Sequence, residues 1–156
     1  MSDQTSSATR LDPMAIAFEE ARAAGERGEV PVGAAIMRDG ALLARAGNRT
    51  LEQKDPTAHA EMLAIRTACE AADSERLPGC DIYVTLEPCP MCAAAISFAR
   101  LRRLYFGASD PKMGGVENGP RIFSASSCQH RPEVYGGIRD AESAEMLKAF
   151  FRARRD

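Results

Sequence analysis

The chain has 156 residues, 45% of them hydrophobic and 27% charged, which suits one packed domain and excludes the disordered and fibrous classes. Its 20 Lys and Arg against 22 Asp and Glu leave a net charge of −2. That excludes the strongly basic, indiscriminate nucleic-acid binders but permits a local basic surface.

Residues 1–10, "MSDQTSSATR", are polar and read as a disordered tail; residues 11–156 read as a single domain without repeat or linker. The tail lacks the apolar region of a signal peptide, and no apolar run approaches the ~20 residues needed to span a bilayer. The expectation is a cytoplasmic protein with no membrane contact. Five cysteines, Cys69, Cys80, Cys89, Cys92 and Cys128, are an odd and uneven set, unlike a secreted disulfide framework.

In chain order, a helix is expected from about Pro13 to Gly25, with Pro13 at its first position, Gly25 at its exit and Met14, Ile16, Ala17, Phe18 and Ala21 as its apolar residues. "VGAAIMRDGALLARAG" predicts two strands joined at Asp39-Gly40, a strong hairpin signal. "PTAHAEMLAIRTACEAA" predicts a helix, "CDIYVTL" a buried strand, "PMCAAAISFARL" a helix and "RLYFGA" a strand. Cys69 and Cys80 fall within these patterns as packing residues. Residues 109–132 are irregular and rich in Gly and Pro. A short strand is expected around Pro132 to Tyr135, and "DAESAEMLKAFFRARR" reads as an amphipathic helix. Alternating strands and helices predict an α/β sheet covered on both faces, with its site in loops at the strand ends.

The thiols of "EPCPMC" allow a disulfide, a redox dithiol, a structural zinc or a catalytic zinc. If a helix begins there, Cys89 is its N-cap, Pro90 its first residue and Cys92 lies three positions on. Both sulfurs then face one point off the positive end of the helix dipole, which favours thiolates. His59 and Glu61 are two residues apart, or ~200° around a regular helix. They share a centre only from a first turn, which Thr57 or Asp55 is placed to cap. His59, Cys89 and Cys92 then make three ligands, the number of a catalytic zinc that keeps an open position for water. Glu61 is left free to move protons there. H-x-E followed about thirty residues later by P-C-x-x-C is a strong combination, matching zinc-dependent nucleobase deaminases.

These motifs, with "EVPVGA", "GNR", "DPTAHAEMLAIR", "YVTLEPCPMC", "FGASD", "QHRPEV" and "FFRARR", resemble the cytidine deaminase-like superfamily, most closely its bacterial tRNA-specific adenosine deaminases. The likeness runs from about residue 13 to the end. It implies a three-layer helix/sheet/helix sandwich with a five-stranded mixed sheet, and a homodimer with one Zn2+ per subunit and no organic cofactor. The implied reaction converts adenosine to inosine at the wobble position of a tRNA anticodon stem-loop. His59, Cys89 and Cys92 are the implied ligands and Glu61 the implied proton shuttle. Asn48 is expected to bond the nucleoside, Val30, Pro31 and Ala60 to line its pocket, and Asp110 to lie near the flipped nucleotide. Phe150, Phe151 and Arg152 are expected to touch RNA. After Asp110 the chain has "PKMGGVENGPRIF" where the family has a Thr-Gly-Ala-Ala-Gly-Ser run.

Two other functions compete. One is a binding module with a structural zinc closed by His130. The other is a deaminase of a free base or nucleoside such as guanine, cytosine or cytidine, whose enzymes share both zinc motifs.

Overall fold

A computed structural model describes residues 10–155. The tail expected to be disordered lies outside the described residues, apart from Arg10.

Helix α1, Pro13–Glu26, starts on Asp12, whose carboxylate accepts the Ala15 N–H at 3.1 Å. It buries Met14, Ala17, Phe18 and Ala21, a stripe at helical spacing. Strands β1, Gly33–Arg38, and β2, Ala41–Gly47, form the expected hairpin. Asp39 and Gly40 have φ of 51° and 80°, the two left-handed residues that a tight hairpin turn requires. A four-residue helix α2, Thr50–Gln53, follows and was not legible in the sequence. Then come α3 (Ala60–Ala72), β3 (Cys80–Leu86), α4 (Pro90–Phe98) and β4 (Arg103–Ala108). A single 3-10 turn, Ile122–Ser124, β5 (Glu133–Tyr135) and α5 (Asp140–Arg155) complete the chain.

Two details correct the expected helix starts and ends. Neither Thr57 nor Asp55 caps α3. Asp55 Oδ1 is taken by the Thr57 N–H at 2.8 Å and its hydroxyl at 2.7 Å, a local turn that keeps this stretch outside the helix. The N-cap is His59. Helix α4 stops at Phe98, because Arg100 turns into the left-handed region at φ 61°.

The sheet order is β2-β1-β3-β4-β5, with β1 antiparallel to both neighbours and β3, β4 and β5 parallel. The sheet is therefore five-stranded and mixed, with helices on both sides. Alternation along β3 sorts its two faces. Ile82 and Val84 join Ala64 and Ala68 of α3 and Ala93 and Ile96 of α4 in the main core. Tyr83 packs instead with Met14, Ala17 and Phe18 of α1 and Met146 of α5. Tyr83, Tyr105 and Tyr135 stand in register on three adjacent strands, with ring centroids 4.5 and 5.1 Å apart. Helix α1 lies so close to β1 that a side chain at Gly33 would run into the Ala17 carbonyl and sit 2.6 Å from the Ala21 nitrogen.

The short helix α2 is held by a buried acid. Glu29, 2% exposed, accepts the N–H groups of Leu51 at 3.1 Å and Glu52 at 2.9 Å, and the Thr50 hydroxyl at 3.4 Å. Burial opposes ionisation of Glu29. The bonds from Glu52, Leu51 and Thr50, with the Arg27 charge, outweigh it and hold the carboxyl below its ordinary 4.5. A pKa lowered by folding adds stability above the unfolded value and loses it as pH falls through the native one. Glu29→Gln should therefore lower stability by about 2 kcal/mol at neutral pH. In urea titrations the gap between variant and wild type should narrow below pH 4.5; a gap independent of pH would contradict this account.

Candidate active site

Strand β3 ends at Leu86, and the chain reaches α4 through Glu87, Pro88 and Cys89. Cys89 is the N-cap in extended backbone, Pro90 the first helical residue, and Cys92 lies buried in the first turn. His59 is the N-cap of α3, with Glu61 in its first turn. Neither Cys89 nor His59 makes a side-chain capping bond. Their side chains meet instead. Cys89 Sγ and Cys92 Sγ each lie 3.6 Å from His59 Nδ1, and the three atoms fall within 4.8 Å of one another.

That spacing fits a metal ion. Tetrahedral zinc bonded to sulfur at about 2.3 Å and nitrogen at about 2.0 Å holds the two donors roughly 3.5 Å apart. One nitrogen and two sulfurs also suit zinc chemically.

The charges around this point are coupled. The hydrogen bond from Cys92 draws the Cys89 thiol well below its ordinary range, aided by His59. The same bond, with burial, pushes Cys92 up. The bond to Cys89 raises His59. So the protein alone readily ionises one thiol and resists ionising the second. A divalent cation held by His59, Cys89 and Cys92 would supply the charge that favours the second thiolate. Burial pushes Glu61 up to about 7, and only 4% of its surface is exposed.

His59, Glu61 and Cys89 open into a cavity of about 220 Å³. Of the residues expected to bind substrate, Val30, Asn48 and Asp110 line it. Pro31 and Ala60 are not among its lining residues. Ala60 is fully buried, and its N–H donates to Asn48 Oδ1 at 2.8 Å. The Asn48 amide also donates to the Val30 carbonyl at 3.1 Å, so it ties the chain before β1 to the start of α3. Val32, Thr50, Leu86, Glu87 and Met113 line the cavity too and were missed in the sequence. A second hollow, about 710 Å³, shares Val30, Leu86, Asp110 and Met113 with the first and extends to Phe151. Phe151 is 48% exposed and meets Phe150 edge to face at 5.3 Å. The Arg154 guanidinium covers the Phe150 ring at 3.8 Å, and Arg152 is exposed.

His130 is elsewhere. Its Nε2 lies 2.7 Å from the Leu101 carbonyl, and it lines a separate cavity with Arg76, Arg100, Arg102 and Arg131. Among the described residues, the metal-ligand cluster is His59, Cys89 and Cys92. The four-ligand structural zinc closed by His130 is thereby overturned. Elemental analysis should find zinc retained in His130→Ala and reduced about tenfold or more in Cys92→Ala; loss of zinc on changing His130 would contradict the geometry.

Comparison with known proteins agrees with this site. Residues 8–108 match the cytidine and deoxycytidylate deaminase zinc-binding region. A tRNA-specific adenosine deaminase of Agrobacterium fabrum is 62% identical over 148 residues, covering 95% of this chain and 97% of the relative. One from Rickettsia bellii is 46% identical, covering 90% and 98%. A solved structure from work on A-to-I editing by tRNA:A34 deaminases at the wobble position superposes with a TM-score of 0.85. It is 63% identical, and the match covers 86% of this chain and 98% of that one. The chain belongs to the zinc-binding cytidine and deoxycytidylate deaminase family, on the branch of the tRNA-specific adenosine deaminases.

Proposed function

We propose that this protein is a zinc-dependent hydrolase that converts adenosine to inosine at the wobble position of a tRNA anticodon. The observation that carries the reading is the buried Glu61 carboxyl in one cavity with His59 and Cys89, which cluster with the buried Cys92. The names of the relatives supply the substrate. A second compartment beside the reacting centre, reaching an exposed phenylalanine, favours a polymer over a free base. The wobble base lies in a single-stranded loop and costs little to extrude.

In this reading His59 Nδ1, Cys89 Sγ and Cys92 Sγ hold one zinc per subunit. When bound, zinc supplies a Lewis acid that brings the pKa of water from 15.7 towards ~7. Glu61 takes the proton of the attacking water on a carboxylate oxygen and gives it to N1 of adenine as C6 is attacked. The same carboxylate then takes the second proton from the new C6 hydroxyl and passes it to the departing amine, so adenosine and water become inosine and ammonia. A pKa raised to about 7 suits a group that must both take and give a proton. Asn48, held by two backbone groups, keeps one amide hydrogen for the nucleoside. Val30 and Asp110 bound the base, and Phe150, Phe151 and Arg152 meet the RNA loop through stacking and charge. The family resemblance further suggests a homodimer acting in the cytoplasm.

The test is purified protein with an anticodon stem-loop carrying A at the wobble position, free adenosine, cytosine and guanine being run in parallel. Inosine should form in the stem-loop. Glu61→Gln should slow it by about 10²–10⁴-fold with zinc content unchanged. An inert stem-loop with turnover of a free base would move the protein to nucleobase salvage.

A further inference from the structure

Residues 109–118 form one wall of the catalytic cavity through Asp110 and Met113, and both residues also face the second hollow. This wall therefore separates the space for the reacting base from the space beside it. The segment has no helix or strand to hold it. It is held from beneath by Glu87, a side chain the chemistry does not use.

Glu87 is 2% exposed. Its Oε1 accepts the Asp110 N–H at 2.9 Å, the Ser109 hydroxyl at 3.3 Å and the Asn118 side-chain amide at 2.7 Å. Its Oε2 accepts the N–H groups of Val116 at 3.1 Å, Glu117 at 2.9 Å and Asn118 at 3.1 Å. All six donors belong to the loop. Two come from Ser109 and Asp110 at the start of the wall and the other four follow Met113, so one carboxylate closes the loop on itself. Asp110 relays the hold, because its Oδ1 accepts the N–H groups of Lys112 at 3.2 Å and Met113 at 3.0 Å. The loop also passes too close for side chains: a Cβ at Gly114 would strike the Glu87 carboxylate, and one at Gly115 would lie 2.5 Å from the Pro90 nitrogen.

We propose that Glu87 is a positioning residue for substrate recognition: it fixes the wall carrying Asp110 and Met113 and so governs how the RNA loop enters. The proposal rests on the reading of the site as an RNA deaminase. Glu87 borders the cavity, but all six hydrogen bonds it accepts come from the loop, so it acts through the wall.

The test uses Glu87→Gln, which keeps the shape but replaces one acceptor oxygen with an NH2 group. Whichever way the amide turns, it aims a donor at three donors. Asn118→Asp offers that NH2 group an acceptor, so the double variant should recover part of what Glu87→Gln loses. In Glu87→Gln the KM for the stem-loop should rise about tenfold and kcat should change much less. Zinc should stay at the wild-type level, and trypsin should cut after the exposed Lys112 about tenfold faster. Asn118→Ala removes one side-chain donor and should show a smaller rise in KM; it serves if Glu87→Gln does not fold.

Three results would overturn the proposal. The first is a faster cut at Lys112 with KM unchanged. The second is an unchanged cut. The third is a fall in kcat that tracks lost zinc, which would make Glu87 a support of the metal site. Wild type inactive on the stem-loop counts against the functional reading instead. The free base it does turn over then takes the stem-loop's place in the same KM comparison.

Discussion

Two helices begin at one point, and the rest of the molecule serves that meeting. The N-termini of α3 and α4 each begin with N–H groups that have no partner within the helix, and each carries the positive end of a dipole. Most helices place Ser, Thr, Asp or Asn at the N-cap to answer those groups. Here the caps are His59 and Cys89, and neither answers them. Forgoing a cap costs about 1 kcal/mol per helix. In exchange, an imidazole nitrogen and two sulfurs share one centre in a field that favours thiolates. Small residues let the helices stand this close to the sheet and to each other: Ala64 and Ala68 on α3, and Ala93 on α4, all fully buried.

Around that centre, polar side chains replace regular structure. Glu29 gathers the start of α2, where Thr50 lines the cavity. Glu87 gathers the loop from Ser109 to Asn118. Asn48 joins the segment before β1 to the first residue of α3. Each answers backbone or loop groups that a helix or strand would otherwise pair. The floor of the site is built on helix ends, while its walls are loops shaped by single side chains. Such a division lets the walls diverge in sequence without disturbing the metal.

The legible parts of the sequence were those with local causes. Asp39-Gly40 marks the hairpin because the turn needs two left-handed residues. Pro90 marks the start of α4 because its missing N–H has no partner there anyway. The three ligands follow from spacing once both motifs are read as helix starts. The illegible parts depend on contacts between distant segments. Helix α2 forms on a glutamate more than twenty residues earlier. Glu87 sits in "LEP", where nothing local reveals donors 22 to 31 residues ahead. Pro31 and Ala60 came from resemblance, and Ala60 turns inward because the first residue of α3 packs on the sheet. His130 was a candidate only because histidine is scarce, and its ring is spent on a carbonyl.

The central claim is an open metal centre with three protein ligands. X-ray absorption at the zinc edge tests it most directly on the purified, zinc-loaded protein. The account predicts two sulfurs at about 2.3 Å, one imidazole nitrogen at about 2.0 Å and one light atom that exchangeable small anions replace. A second imidazole, a third sulfur, or a fourth ligand that no added anion displaces would make the zinc structural and contradict the account.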